Sequence, residues 1–277
     1  MKEELFPMKN IREPAVAGYF YPAARPQLLR LLERFVPQGS EKEDAVAMMV
    51  PHAGYVYSGA TAGATFAKVV VPETVVILGP NHTGYGEPYA VADHDAWHTP
   101  LGDVPLDREF CRLLTAKSRY LEEDGVAHIR EHSIEVQLPF LQFLRNHCSI
   151  VPIALSGYAE NPAWKEIGDA LAETIRETGK ETLIVASTDM THYEPKEDVE
   201  EKDHYALEAV EKMDEHILVE RLLERDISMC GYAPVIVAMV AAKSRFARMG
   251  TLVSYSTSGD LSGKDKPVVG YAGMIFQ

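Results

Sequence analysis

Four short segments of this chain place metal-ligating or proton-moving side chains just past apolar β-branched runs or just ahead of a helical pattern. Val50, Pro51, His52, Ala53, Gly54 and Tyr55 follow one such run; Val75 to Leu78 leads into Gly79, Pro80, Asn81 and His82. Neutral imidazole binds iron, copper and zinc well, so His52 and His82 share a metal if their strands are neighbours; otherwise each is a loop histidine held by hydrogen bonds. A third run, Leu183 to Ala186, breaks into Ser187, Thr188, Asp189, Met190, Thr191 and His192. A carboxylate and a histidine three residues apart suit an orienting acid and a general base beside a metal, while Asp189 by itself also suits the cap of a turn. Cys230 stands before Gly231, Tyr232, Ala233 and Pro234. Free amides at a helix start stabilise a thiolate there, which makes Cys230 a soft ligand or a reactive thiol, against the ordinary role of a free cysteine as a small buried apolar residue.

Two further positions belong with these. His132 lies three residues before Glu135, a spacing that resembles a capping arrangement, and His132 also suits a donor or substrate contact in the same crevice. His98, ahead of Thr99, Pro100 and Leu101, is the one other histidine with suggestive context. There is no Walker loop, Gly-x-Gly-x-x-Gly fingerprint, Gly-x-Ser-x-Gly elbow, Cys-x-x-Cys pair or His-Glu-x-x-His sequence, which removes the common nucleotide, serine-hydrolase and zincin readings.

The elements that must position these residues read as an α/β chain with a mostly parallel or mixed central sheet flanked by helices, because short apolar runs alternate with amphipathic stretches. Strands are predicted over 45–50, 74–78, 149–155, 182–186, 252–256 and 268–276. Helices are predicted over 26–35, 58–69, 107–116, 133–146, 162–178 and 234–246. Pro26, Pro162 and Pro234 suit a first helical turn, and Ser58, Asp107 and Ser133 suit caps. Residues 80–105 read as a long loop. The acidic stretch 194–215 reads as a solvated helical face or, alternatively, a partner surface. In open α/β sheets ligands sit beyond the carboxyl ends of strands, where His52, His82 and Asp189 fall.

No Gly/Ser linker or internal repeat divides the 277 residues, so one domain over 1–277 is expected. The net charge of −14 argues against a nucleic-acid or anionic-membrane surface. Three cysteines, an odd number, argue against a disulfide framework, and the start of the chain, with Lys2, Glu3 and Glu4, does not read as a secretory signal. The longest apolar stretch, 233–242, is too short to span a bilayer. A cytoplasmic protein is expected, and its acidic exterior with several apolar helices is compatible with a homodimer.

The segments 14–22 (PAVAGYFYP), 51–55 (PHAGY), 78–82 (LGPNH), 131–139 (EHSIEVQLP), 187–192 (STDMTH), Cys230 with Gly231, and 270–272 (GYA) together resemble the Memo-like family, also called protein B of the AmmeMemoRadiSam system. The resemblance covers almost the whole chain. It implies a fold like that of class III extradiol dioxygenases, in which two histidines and a glutamate hold iron, with cysteine in the glutamate's place. It therefore implies His52, His82 and Cys230 as metal ligands, with Asp189 and His192 near the catalytic acid/base position; Tyr55, Asn81, His132 and Glu135, from the same segments, read as supporting or substrate-contacting residues around them. Exchanging a carboxylate for a thiolate shifts preference toward copper(I), zinc or a redox-active iron site. Iron(II) or copper is the expected cofactor, with zinc as the alternative. The functions that follow are a metal-dependent redox protein acting on a small molecule, a non-catalytic module binding a peptide or protein in the same crevice, or a zinc-dependent hydrolase. The family name also implies a radical-SAM protein as a partner.

Overall fold

Strands apolar at every position, without polar alternation, belong in a sheet covered on both faces. The computed structural model, which describes residues 10–156, 162–262 and 266–277, has this arrangement. The reading of Lys2, Glu3 and Glu4 lies outside the described residues. In chain order the strands are β1 (Ile11–Arg12), β2 (Ala47–Val50), β3 (Thr74–Pro80), β4 (Tyr89–Val91), β5 (Ala96–Thr99), β6 (Gly102–Pro105), β7 (Glu122–Glu123), β8 (Ser149–Leu155), β9 (Thr182–Ser187), β10 (His192–Glu194), β11 (Gly250–Thr257) and β12 (Val268–Phe276). The helices are α1 (Arg25–Phe35), α2 (Tyr55–Phe66), α3 (Arg108–Lys117), α4 (Leu138–Leu144), α5 (Ala163–Thr178), α6 (Lys196–Glu211), α7 (Glu215–Glu224), α8 (Tyr232–Ser244) and the single-turn α9 (Gly259–Ser262).

The nine-stranded sheet runs β10-β12-β2-β9-β3-β8-β4-β7, with β11 paired to β12. Its centre, β2, β9, β3 and β8, is parallel; β12, β11, β10 and β4 join antiparallel. The sheet is thus mixed, as its sequence pattern predicts. Alternate residues divide between two cores. Met49, Val76, Leu78, Ile153 and Ile184 pack toward α3, α5, α6, α7 and α8. Met48, Val50, Ile77, Ile150 and Val185 pack toward α1, α2 and α4. Helix α8 is buried at every position from Ala233 to Ala242, as a helix pressed between a sheet and other helices must be. Gly168 of α5 permits this approach, since a Cβ there would lie 2.7 Å from Val240. Among the described residues no helix is long and apolar enough to cross a membrane.

Several boundaries differ from the sequence reading for identifiable reasons. The helix expected from Ser58 begins at Tyr55, with Gly54 at its cap position, and Ser58 donates to the Ala53 carbonyl instead of capping. The helix expected over 133–146 is a 3₁₀ turn (Glu135–Gln137) followed by the short α4. Pro139 has no amide and its ring crowds the carbonyl four residues back, so the α-helix starts where Pro139 falls in the first turn. Neither Ser133 nor Glu135 caps it: Ser133 donates to the Pro80 carbonyl. Asp107 does cap α3, accepting from the Phe110 amide. The loop expected over 80–105 contains β4 and also β5 and β6, which form a separate three-stranded sheet with β1. The acidic stretch forms α6, and its outer face is solvated, but Asp203 is fully buried against Thr191 and Tyr255.

Candidate metal centre

Strand β9 pairs in parallel with β2 on one side and with β3 on the other, so the chain leaves all three at the same edge of the sheet. His52, Asp189 and His82 each follow their strand by two residues, and this topology alone gathers them. His132 reaches the same place from the loop before the 3₁₀ turn. That loop is pressed onto β3, where a Cβ on Gly79 would lie 2.5 Å from the Ser133 hydroxyl. The imidazole centroids of His52 and His82 are 5.1 Å apart, those of His52 and His132 5.4 Å, and those of His82 and His132 4.8 Å. One candidate ligand atom from each of the three lies within 4.8 Å of the others, the one such group among the described residues.

Cys230 joins this cluster through a close backbone approach. A Cβ on Gly231 would sit 2.3 Å from the Ser187 carbonyl, and the Gly231 amide donates to the Thr188 hydroxyl at 2.9 Å. With the start of α8 held there, Cys230 Sγ lies 3.2 Å from His52 Nε2 and accepts from the Asp189 amide at 3.3 Å. Two ligands of one ion, at about 2.0–2.3 Å from it, stand roughly 3–4 Å apart, so the His52–Cys230 spacing matches a shared ion as it stands. The imidazole set is about an ångström wider. The donor set, three imidazoles and one thiol, is one that iron(II), copper and zinc accept.

Burial, first of all, lowers the pKa of His52, with the neighbouring His132 and His82 adding to it; burial also lowers His132 and His192. These rings are therefore neutral at pH 7, the state a ligand or a base requires. Glu131 lies beneath the cluster with no exposure. It accepts from His82 Nδ1 at 3.0 Å and from the backbone amides of His82, His132 and Ser133 at 2.6, 2.9 and 2.9 Å. Burial opposes its charge, but these donors and the facing imidazoles win and hold its carboxyl down at about 2. Burial pushes Asp189 up to about 7 even though it accepts from the His52 amide at 2.7 Å. Burial, then the Asp189 charge, pushes the Cys230 thiol up.

His192 lines the same cleft of about 560 Å³, together with Phe20, Tyr57, Tyr193 and Tyr271. Its Nδ1 faces the Ser228 carbonyl at 2.9 Å, so Nδ1 carries the proton and Nε2 is left bare. Ser228, and not Asp189, therefore orients His192; Asp189 instead holds the His52 backbone. Glu135 turns away from the cluster and binds Arg12 at 2.8 Å, the amides of Ala15 and Val16, and the Tyr21 hydroxyl. Tyr55 is buried and donates to the Val136 carbonyl. Asn81 shapes its own loop, accepting from Thr83 and Gly84 and donating to Tyr85. His98 pairs with Asp103 on the β5–β6 hairpin, outside the cleft.

Three residues escape the sequence reading. Glu131 is adjacent to His132, and an acid beside a ligand-type histidine is a usable signal. Arg12 donates to the Glu131 and His128 carbonyls, both at 2.6 Å, and Ser187 meets His52 Nδ1 at 2.9 Å; nothing local marks either residue.

Residues 12–275 match the family model described as Memo-like protein. The chain is 43% identical to the MEMO1 family protein of Methanococcoides burtonii over 269 residues, covering 96% of this chain and all of the relative. It is also 43% identical to that of Aquifex aeolicus over 271 residues, covering 96% of this chain and 99% of the relative. Among solved structures, the uncharacterized protein JW3007 of Escherichia coli K12 superposes with a TM-score of 0.51 at 14% identity, over 81% of this chain and 98% of the other, a likeness of fold alone.

Proposed function

The chain belongs to the Memo-like family, and from that premise we propose that it is a metal-dependent redox protein whose ion is held by His52, His82 and His132 with the Cys230 thiolate beside them. The observation that carries this reading is the three-histidine cluster, with a sulfur 3.2 Å from one of its nitrogens. In this reading His132 is a ligand, and not the supporting or substrate contact expected from its position ahead of Glu135. Bound iron(II) or copper supplies one-electron chemistry at this edge of the sheet.

The chain's own residues supply the rest. Glu131 holds His82 and the His132 backbone in place, and the Asp189 carboxylate fixes the loop that carries His52. His192, neutral and with Nε2 bare, takes a proton from a ligand in the cleft. Phe20 and the tyrosines offer apolar faces to a small organic molecule. A cytoplasmic location and a radical-SAM partner go with this reading; the three free cysteines and the net charge of −14, unfavourable to nucleic acid, are compatible with it.

A second reading, a module that binds a peptide without turnover, draws on the exposed Tyr19 and Tyr193, which are 88% and 76% accessible. Metal analysis of untagged, anaerobically purified protein tests both. Stoichiometric iron or copper in the wild type, lost in His52→Ala and in Cys230→Ser, is the expected result. Zinc alone, with zinc-dependent ester hydrolysis, would replace the redox reading by the hydrolase. No metal after reconstitution would leave the binding module.

A further inference from the structure

The Ser187 hydroxyl, at the end of β9, has three hydrogen-bond neighbours and one proton to give. It lies 2.6 Å from the Ser133 carbonyl, 2.9 Å from Gln137 Nε2 and 2.9 Å from His52 Nδ1. A carbonyl only accepts and an amide nitrogen only donates. The orientation of the Gln137 amide is itself settled, because the same nitrogen donates to the Pro51 carbonyl at 2.9 Å and a turned amide would set oxygen against oxygen. Ser187 therefore gives its proton to Ser133 and turns its lone pairs toward Gln137 and His52. Ser133, Gln137 and Ser187 are fully buried and His52 is 2% exposed, so bulk water does not compete for these bonds.

We propose that Ser187, set by Ser133 and Gln137, is a positioning residue that fixes the Nδ1–H tautomer of His52 and so presents an unprotonated Nε2 to the ion site. The proposal rests on the reading of the histidine cluster as a metal centre. His82 and His192 need no such relay, because their Nδ1 atoms face a carboxylate and a carbonyl, groups that accept. A hydroxyl both donates and accepts, so the choice at His52 passes to the residues behind Ser187. The bare Nε2 is the atom 3.2 Å from Cys230 Sγ, and this tautomer requires the thiol to donate to it and not to the Asp189 carbonyl at 3.7 Å.

Long-range ¹H–¹⁵N spectra of the metal-free, full-length protein read the tautomer directly. Wild type is expected to show His52 protonated at Nδ1. Ser187→Ala is expected to convert half or more of His52 to the Nε2–H form and to weaken Zn²⁺ binding by about 10- to 100-fold, the usual effect of losing a ligand's outer hydrogen bond. Ser187→Thr, which keeps the hydroxyl, is expected to restore both. Wild-type His52 protonated at Nε2, or Ser187→Ala still protonated at Nδ1, overturns the proposal. If Ser187→Ala does not fold, Ser187→Cys is read by the same spectrum against the same two outcomes. Because the tautomer is read without metal, a wild type that binds no Zn²⁺ defeats the metal-centre reading separately.

Discussion

A histidine serves as a ligand through a bare ring nitrogen, and in this protein the groups behind the rings decide which nitrogen that is. Glu131 does so for His82 through Nδ1, and it lies 3.4 Å from His132 Nδ1 as well. The carboxylate is fully buried yet ionised, because three backbone amides and an imidazole share its charge. A glutamine side chain in its place would keep the shape but put an NH₂ donor where some of those donors point. Glu131→Gln is expected to weaken Zn²⁺ binding by about 10- to 100-fold. Competition against a chromophoric chelator measures this, and an unchanged affinity would remove Glu131 from the site.

At the scale of elements, α6 contains the one acid of its stretch that faces inward. Asp203 accepts from the Thr191 amide and the Tyr255 hydroxyl, both at 2.9 Å, and Gly270 makes room for it, since a Cβ there would fall 1.7 Å from its Oδ2. Burial raises its pKa from 3.8 to about 6 despite these donors. Between those two values the folded chain keeps a proton that the unfolded chain has lost. The stability this residue contributes is therefore fully present below pH 3.8 and is lost as pH rises through about 6. Asp203→Asn does not titrate. Its stability relative to wild type is expected to rise by about 2–3 kcal/mol from pH 4 to pH 7, read from urea unfolding at each pH. A constant difference across that range would contradict the buried, titrating acid.

At the scale of the whole molecule, Arg12 ties the small β1-β5-β6 sheet to the floor of the cleft. Its guanidinium donates to the His128 and Glu131 carbonyls, pairs with Glu135 at 2.8 Å and stacks 4.2 Å from the centre of the Trp97 ring. Glu135 in turn holds the following segment by the amides of Ala15 and Val16 and the Tyr21 hydroxyl. Removing one partner of a buried ion pair strands the other charge. Arg12→Met is expected to cost about 3–5 kcal/mol in a urea melt, and a loss under about 1 kcal/mol would show that Glu135 is satisfied without it.

Much of this arrangement is legible in the amino-acid sequence. Uninterrupted apolar runs mark strands buried on both faces, and the residues just past such runs, His52, His82 and Asp189, are at strand ends whichever way the sheet is ordered. Cys230 before a helix start is legible for the same local reason. The order of the strands is not: β9 enters between β2 and β3 from more than 100 residues further along the chain, so His52 and His82 leave strands that do not pair with each other, and the loops beyond the sheet edge bring their rings to 5.1 Å. The supporting shell is hidden for a related reason. Glu131 meets His82 across 49 residues, Ser187 meets Ser133 across 54, and Arg12 meets Glu135 across 123. Periodicity and capping are properties of adjacent residues, so the sequence by itself determined which side chains stand at strand and helix ends. Hydrogen bonds that select a tautomer or hold a buried charge depend on atoms a few ångströms apart in space, and only the packing of distant segments decided those.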